Sequence, residues 1–273
     1  MAAYVRQPAV AGRFYPAEPN TLRNDVQSYL SISVSATAKT PALGCVVPHA
    51  GYMYSGVVAG AVYARIEIPK RCIVLCPNHT GLGQPLSIIS EGSWNTPLGA
   101  VSIDSSVAAD IKKRFPDLID DIESQRKEHA IEVQLPFLKV QQPDFSLVPI
   151  TLGTGRFDIL EELGRALGEV IGNHPERTIV IASSDMNHYE NDAVTRVKDH
   201  KAIEKILGLD PHGLFETIKT EKISMCGFGP AIVMLTASKI AGAKRAELIR
   251  YATSGDVSGD RDAVVGYAGI AVS

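Results

Sequence analysis

Apolar residues gather in short continuous runs along the chain, each closed by proline, glycine or a polar turn: "LGCVVP", "RCIVLCP", "FSLVPITLG" and "TIVIASSD". Runs this short do not make helices, and their lack of polar alternation predicts strands covered on both faces, as in a largely parallel sheet. Between them the period changes. "DSSVAADIKKRF" predicts a helix capped by Asp104, and "FDILEELGRALGEVIGNHP" spaces Ile159, Leu160, Leu163, Leu167 and Val170 at helical intervals before Gly172, Asn173 and Pro175 stop it. "DAVTRVKDHKAIEKIL" and "FGPAIVMLTASKIAGA" predict two more helices, the second with Pro230 near its first turn. The tail "AELIRYATSGDVSGDRDAVVGYAGIAVS" predicts two strands joined by a polar loop and added antiparallel to the sheet. The pattern predicts an α/β fold: a single domain over residues 1–273 with a largely parallel or mixed central sheet flanked by helices. No repeat, low-complexity tract or linker marks a boundary.

Parallel sheets bind ligands beyond the carboxyl ends of their strands, and three predicted strands carry histidine there. "CVVPHAGYMYSG" delivers His49 into a glycine-punctuated loop, "IVLCPNHTG" delivers His79, and "IVIASSDMNHYEN" delivers Asp185 and His188. A lone strand-end histidine is usually an ordinary loop or core residue. Three at equivalent ends point to a metal site, a proton-transfer site, or both, because imidazole is a common transition-metal ligand and a base near neutral pH. In the first loop Gly51 is expected to let the backbone turn, while Tyr52 and Tyr54 either wall the pocket or simply pack.

Three further features leave alternatives open. In "KEHAIEVQLPF", His129 and Glu132 stand three apart on one expected helical face, either as a solvated surface or as part of a pocket, and Pro136 is expected to kink or end that helix. Cys226 in "ISMCGFGPAIVML" precedes a helix start that favours a thiolate, so it is either a ligand or a small buried residue. Ser254 and Asp256 in "ATSGDVSGD" either reach the pocket or form a hairpin turn.

Composition narrows the classes. The chain has 273 residues, 45% apolar, and 27 basic against 30 acidic side chains for a net charge of −3. That leaves no cationic field for nucleic acid or anionic lipid, so neither nucleic acid nor membrane is an expected partner. The start "MAAYVRQPAVAGRFYP" lacks an apolar export core, so a cytoplasmic location is expected. Cys45, Cys72, Cys76 and Cys226 show no repeated close pairing; Cys72 and Cys76 fall in or beside a strand and are expected to be buried. A phosphate loop, a serine-nucleophile elbow and a dinucleotide-binding glycine triplet are all missing.

Taken together, "PAVAGRFYP", "VPHAGYMYSG", "PNHTG", "EHAIEVQLPF", "SSDMNHY", "CGFGP" and "YATSGDVSGD" resemble the Memo family, the Memo-like proteins also called AmmeMemoRadiSam system protein B, in family order along essentially the whole chain. The resemblance implies a class III extradiol dioxygenase-like fold, the fold of non-haem iron enzymes that cleave catechol-type rings. It implies that His49 and His79 bind a metal, that Cys226 is the third ligand, and that His188 occupies the dioxygenase base position with Asp185 beside it. His129 and Glu132 fall in a motif near the pocket, with a supporting role around the ligands. The implied cofactor is one transition metal ion, copper, iron or zinc. A thiol in place of the dioxygenase carboxylate softens the site towards copper(I) or zinc and speaks against ring cleavage. The implied partners are a radical SAM enzyme, an AMMECR-type protein, and a small-molecule or peptide ligand. The expected function is metal-dependent redox or hydrolytic catalysis. The alternative is a non-catalytic module that holds a peptide or small ligand in a retained dioxygenase-like pocket.

Overall fold

The four apolar runs become neighbours in space. In the computed structural model, which describes residues 4–32 and 39–273, strands Gly44–Val47, Thr178–Ser183, Arg71–Pro77 and Ser146–Leu152 lie side by side in that order, all parallel. Among the described residues nine strands join this sheet. Val264–Val272 pairs antiparallel with Gly44–Val47, and Ala246–Thr253 pairs antiparallel with Val264–Val272, as the tail pattern predicts. His188–Glu190 also pairs with the start of Val264–Val272. At the other edge Leu86–Ile88 runs antiparallel to Ser146–Leu152, with Ile119–Asp120 beyond it. The sheet is therefore mixed, with a parallel centre.

Consecutive strand residues point to opposite faces, and this divides the interior into two cores. Val46, Ile73, Leu75, Val148 and Val180 pack with Leu160, Leu163 and Leu167 of helix Phe157–Asn173 and with Ile232 and Leu235 of helix Phe228–Ile240. Cys45, Val47, Cys72, Val74, Cys76 and Ile181 face the opposite core, with Leu22, Val62 and Phe137. Full burial of each such leucine or valine stabilises the fold by roughly 1.5–3 kcal/mol. Cys72 and Cys76 are buried as expected, and burial pushes their thiols up, out of the reactive range. The Asp104 cap also forms: its carboxylate accepts the Val107 N–H at 3.1 Å at the start of helix Ser105–Arg114.

Four local expectations are corrected. "GYMYSG" does not continue as a loop: Tyr52 opens the helix Tyr52–Arg65, which is buried nearly all round and so shows no amphipathic pattern. Its glycines serve close packing, since a Cβ on Gly60 would stand 2.6 Å from the Tyr29 backbone of helix Pro19–Ile32. Gly51 has φ −56°, which any residue adopts, so its expected conformational role is absent. His129 and Glu132 do not share a helical face either. His129 precedes a short 3₁₀ turn, Glu132–Gln134, and Pro136 sits in the first turn of helix Leu135–Gln141, starting that helix rather than ending it. Among the described residues no helix is long and apolar enough to cross a membrane.

Candidate metal centre

His49, His79 and Asp185 each stand two residues past the end of their strand, on three strands adjacent in the sheet. Parallel pairing puts all three ends on one edge, which is why distant motifs meet there. The loop carrying His129 enters beside them. Ring centres lie 5.0 Å apart for His49 and His79, 5.4 Å for His49 and His129, and 4.7 Å for His79 and His129. One nitrogen from each ring falls within 4.8 Å of the others, the spacing of a group that could hold one ion.

The rings have a common polarity. Ser183 Oγ donates its single proton to the Ala130 carbonyl at 2.6 Å, so it accepts from His49 Nδ1 at 3.0 Å and from Gln134 Nε2 at 2.9 Å. Glu128 Oε1 accepts from His79 Nδ1 at 2.9 Å, and the Ser224 carbonyl accepts from His188 Nδ1 at 2.9 Å. In His49, His79 and His188 the Nδ1 proton is thus tied down, and in the neutral ring Nε2 keeps its lone pair. His49 Nε2 lies 3.2 Å from Cys226 Sγ, so the thiol borders the cluster at His49, while the group spaced to hold one ion is His49, His79 and His129. Cys226 is held there by close packing. Gly227 N–H donates to Ser184 Oγ at 3.0 Å, and a Cβ on Gly227 would come within 2.5 Å of the Ser183 carbonyl oxygen.

Charge follows burial. Burial, with the neighbouring His79, His129 and His188, drives His49 well below its usual pKa; burial also lowers His129 and His188. Burial opposes protonation of His79 as well, but the hydrogen bond and charge of Glu128 outweigh it and raise its pKa. Asp185 is buried, accepts the His49 backbone N–H at 2.7 Å, and is pushed up to about 7 by desolvation. Cys226 stands just ahead of a helix, yet burial and the nearby Asp185 raise its thiol pKa, so the helix end alone does not make a thiolate.

The remaining predicted residues occupy other surroundings. Glu132 is fully buried and accepts from Arg6 Nη1 and Tyr15 Oη at 2.7 Å and from the Ala9 and Val10 amides at 2.8 and 2.9 Å. It anchors the N-terminal segment under the His129 loop. Tyr52 is buried, its hydroxyl donating to the Val133 carbonyl at 2.7 Å, while half-buried Tyr54 lines a cleft with Gly51 and Met53. Asp256 is taken up by Arg196 and Arg261, and Ser254 Oγ accepts the Val265 N–H, around the short helix Gly255–Ser258. Sequence reading missed Glu128, Ser183 and Arg6. Glu128 could have been found as the acidic neighbour of His129; nothing in the local pattern marks the other two.

A mixed α/β sheet with a parallel centre, flanked by helices and with three histidines clustered beside its carboxyl edge in a group that could hold one ion, defines the class of this single-domain protein. The Memo-like protein family profile matches residues 6–271, and the chain belongs to that family. It is 43% identical to a MEMO1 family protein of Methanosarcina barkeri over 98% of this chain and 100% of that one. It is 42% identical to a MEMO1 family protein of Methanopyrus kandleri, covering 97% and 98%. The fold is also similar to the crystal structure of uncharacterized protein JW3007 from Escherichia coli K12, with a TM-score of 0.54 over 84% of this chain and 98% of that one at 11% identity.

Proposed function

We propose that this Memo family member holds one transition metal ion, copper, zinc or iron, between His49 and His79, with Cys226 or His129 completing the set, and carries out redox or hydrolytic chemistry there. The observation that supports this most is the shared polarity of His49 and His79. Each has Nδ1 fixed by a buried acceptor, which leaves Nε2 as the nitrogen available to an ion. His49, kept neutral by burial, gives up no proton on binding, the raised pKa of His79 makes its share pH-dependent, and a thiol favours copper(I) or zinc over harder ions. A bound ion would supply Lewis-acid or one-electron chemistry.

The chain's own groups do the rest. His188, with Nδ1 held by Ser224 and its pKa lowered by burial, is a neutral base at physiological pH with Nε2 free to take a proton. Asp185, near 7, holds or releases a proton beside the ligands while positioning the His49 backbone. Elemental analysis of anaerobically purified, metal-soaked protein tests the reading; content far below one ion per chain sinks it. In the cobalt-loaded protein a thiolate charge-transfer band that survives His129→Ala and vanishes in Cys226→Ser assigns Cys226 as the third ligand, and the opposite outcome assigns His129. The family resemblance further supports a cytoplasmic assembly with a radical SAM enzyme and an AMMECR-type protein. Anaerobic co-expression and co-purification is the check, and repeated recovery of this chain alone counts against it.

A further inference from the structure

A cavity of about 710 Å³ has His129 in its wall, so one imidazole belongs both to the candidate metal centre and to a space outside it. The volume is that of a small-molecule site. One wall is the N-terminal segment from Tyr4 to Phe14; the other is Arg126 to His129. Phe14 lies against His129 with ring centres 4.8 Å apart and planes tilted by 57°, giving the lining an apolar patch beside the cluster.

The charge of this cavity differs from that of the chain. The chain carries a net −3, yet the lining holds Arg13, Arg126 and Lys127 and no carboxylate. Nearby acids are engaged: Glu132 by Arg6 and two backbone amides, Glu128 by His79, and Glu123 by Arg126. Arg13 and Lys127 have no side-chain partner among the described contacts, and both are exposed at the rim. The wall that carries Arg13 is preorganised, because the buried Arg6–Glu132 pair fixes the segment just before it.

We infer that this cavity seats a small organic anion, a carboxylate or phosphate ester with an apolar body, its charged end held by Arg13 and Lys127 and its body lying on Phe14 against His129. The use of that anion as substrate rests on the metal-centre reading; its binding does not.

Isothermal titration separates the two. Benzoate, phenyl phosphate and the neutral isostere benzamide are titrated into metal-free and zinc-loaded protein at two salt concentrations. Both forms should bind benzoate or phenyl phosphate, with the tighter of the two naming the anionic group, benzamide roughly tenfold weaker or worse, and affinity falling with salt. The Arg13→Ala/Lys127→Ala variant should lose roughly tenfold in anion affinity while its zinc stoichiometry and thermal midpoint stay native. Equal binding of benzamide and benzoate, native anion affinity in the double variant, or binding of neither anion overturns the inference. Anion binding in a protein that takes up no zinc overturns the metal reading and leaves the anion seat standing.

Discussion

Glu128 grips His79 at two points: Oε2 accepts the His79 backbone N–H at 2.7 Å and Oε1 accepts Nδ1–H at 2.9 Å. One buried carboxylate thereby sets the position of the loop, the tautomer of the ring and the direction of its free nitrogen. Carboxylates of this kind raise ligand basicity and hold the ring through metal exchange. Glu128→Gln is expected to weaken zinc binding about 10–100-fold. It should also lower the His79 pKa, since the charge that raises it is gone. Zinc competition and an imidazole NMR titration measure the two effects; unchanged affinity and pKa would show that the pair is only structural.

The Arg6–Glu132 pair, 2.7 Å apart, is buried on both sides and is covered by Trp94, whose ring centre is 4.0 Å from the guanidinium carbon. Removing one partner leaves a charge out of water without compensation. Glu132→Leu should therefore cost about 3–5 kcal/mol of stability. Arg6→Met combined with Glu132→Leu should cost less than the two single changes added. Urea unfolding of the four proteins closes the cycle, and strict additivity would contradict the coupling.

Gly227 packs where a side chain has no room, with the Ser183 carbonyl oxygen 2.5 Å from the position a Cβ would take. Gly227→Ala should destabilise the protein by about 1–3 kcal/mol. It should also push Cys226 away from His49, so metal affinity falls along with the thermal midpoint. A loss of stability with native metal affinity would place the strain elsewhere.

Asp199 lies beneath Tyr251, whose hydroxyl donates to it at 2.7 Å, and accepts the Asn187 N–H at 2.9 Å. Burial raises its carboxyl from 3.8 to about 6 in spite of these bonds. A carboxyl with a raised pKa binds its proton more tightly in the native state. Its contribution to stability is therefore greatest below the unfolded value, is lost as pH rises through about 6, and stays lost above. Asp199→Asn should flatten this decline, which amounts to at most roughly 3 kcal/mol. Urea midpoints measured below and above that window give the slope; an equally steep decline in the variant would assign it to another group.

Much of the architecture was legible in the chain. Short apolar runs mark Gly44–Val47, Arg71–Pro77, Ser146–Leu152 and Thr178–Ser183 because buried parallel strands need no polar face, and the period of Leu160, Leu163 and Leu167 marks a helix that covers them. Helix Tyr52–Arg65 was not legible: it has no polar face to create a period, and its glycines, placed for contact with Tyr29, look like loop punctuation. The Glu132–Gln134 turn was hidden for the opposite reason. Its polar residues are buried by distant partners, Arg6 among them, which a local pattern does not contain.

The candidate site divides in the same way. By itself the sequence determined that His49, His79 and Asp185 follow the ends of strands, because strand length and the punctuation after it are local properties. Only the tertiary structure decided that His129 joins them, that Glu128 and Ser183 fix which nitrogens are free, and that Cys226 touches His49. Those relationships depend on strand order and on loops that arrive from far along the chain. The energies that hold them, buried hydrogen bonds and close backbone contact, exist only once the two cores have closed around the sheet.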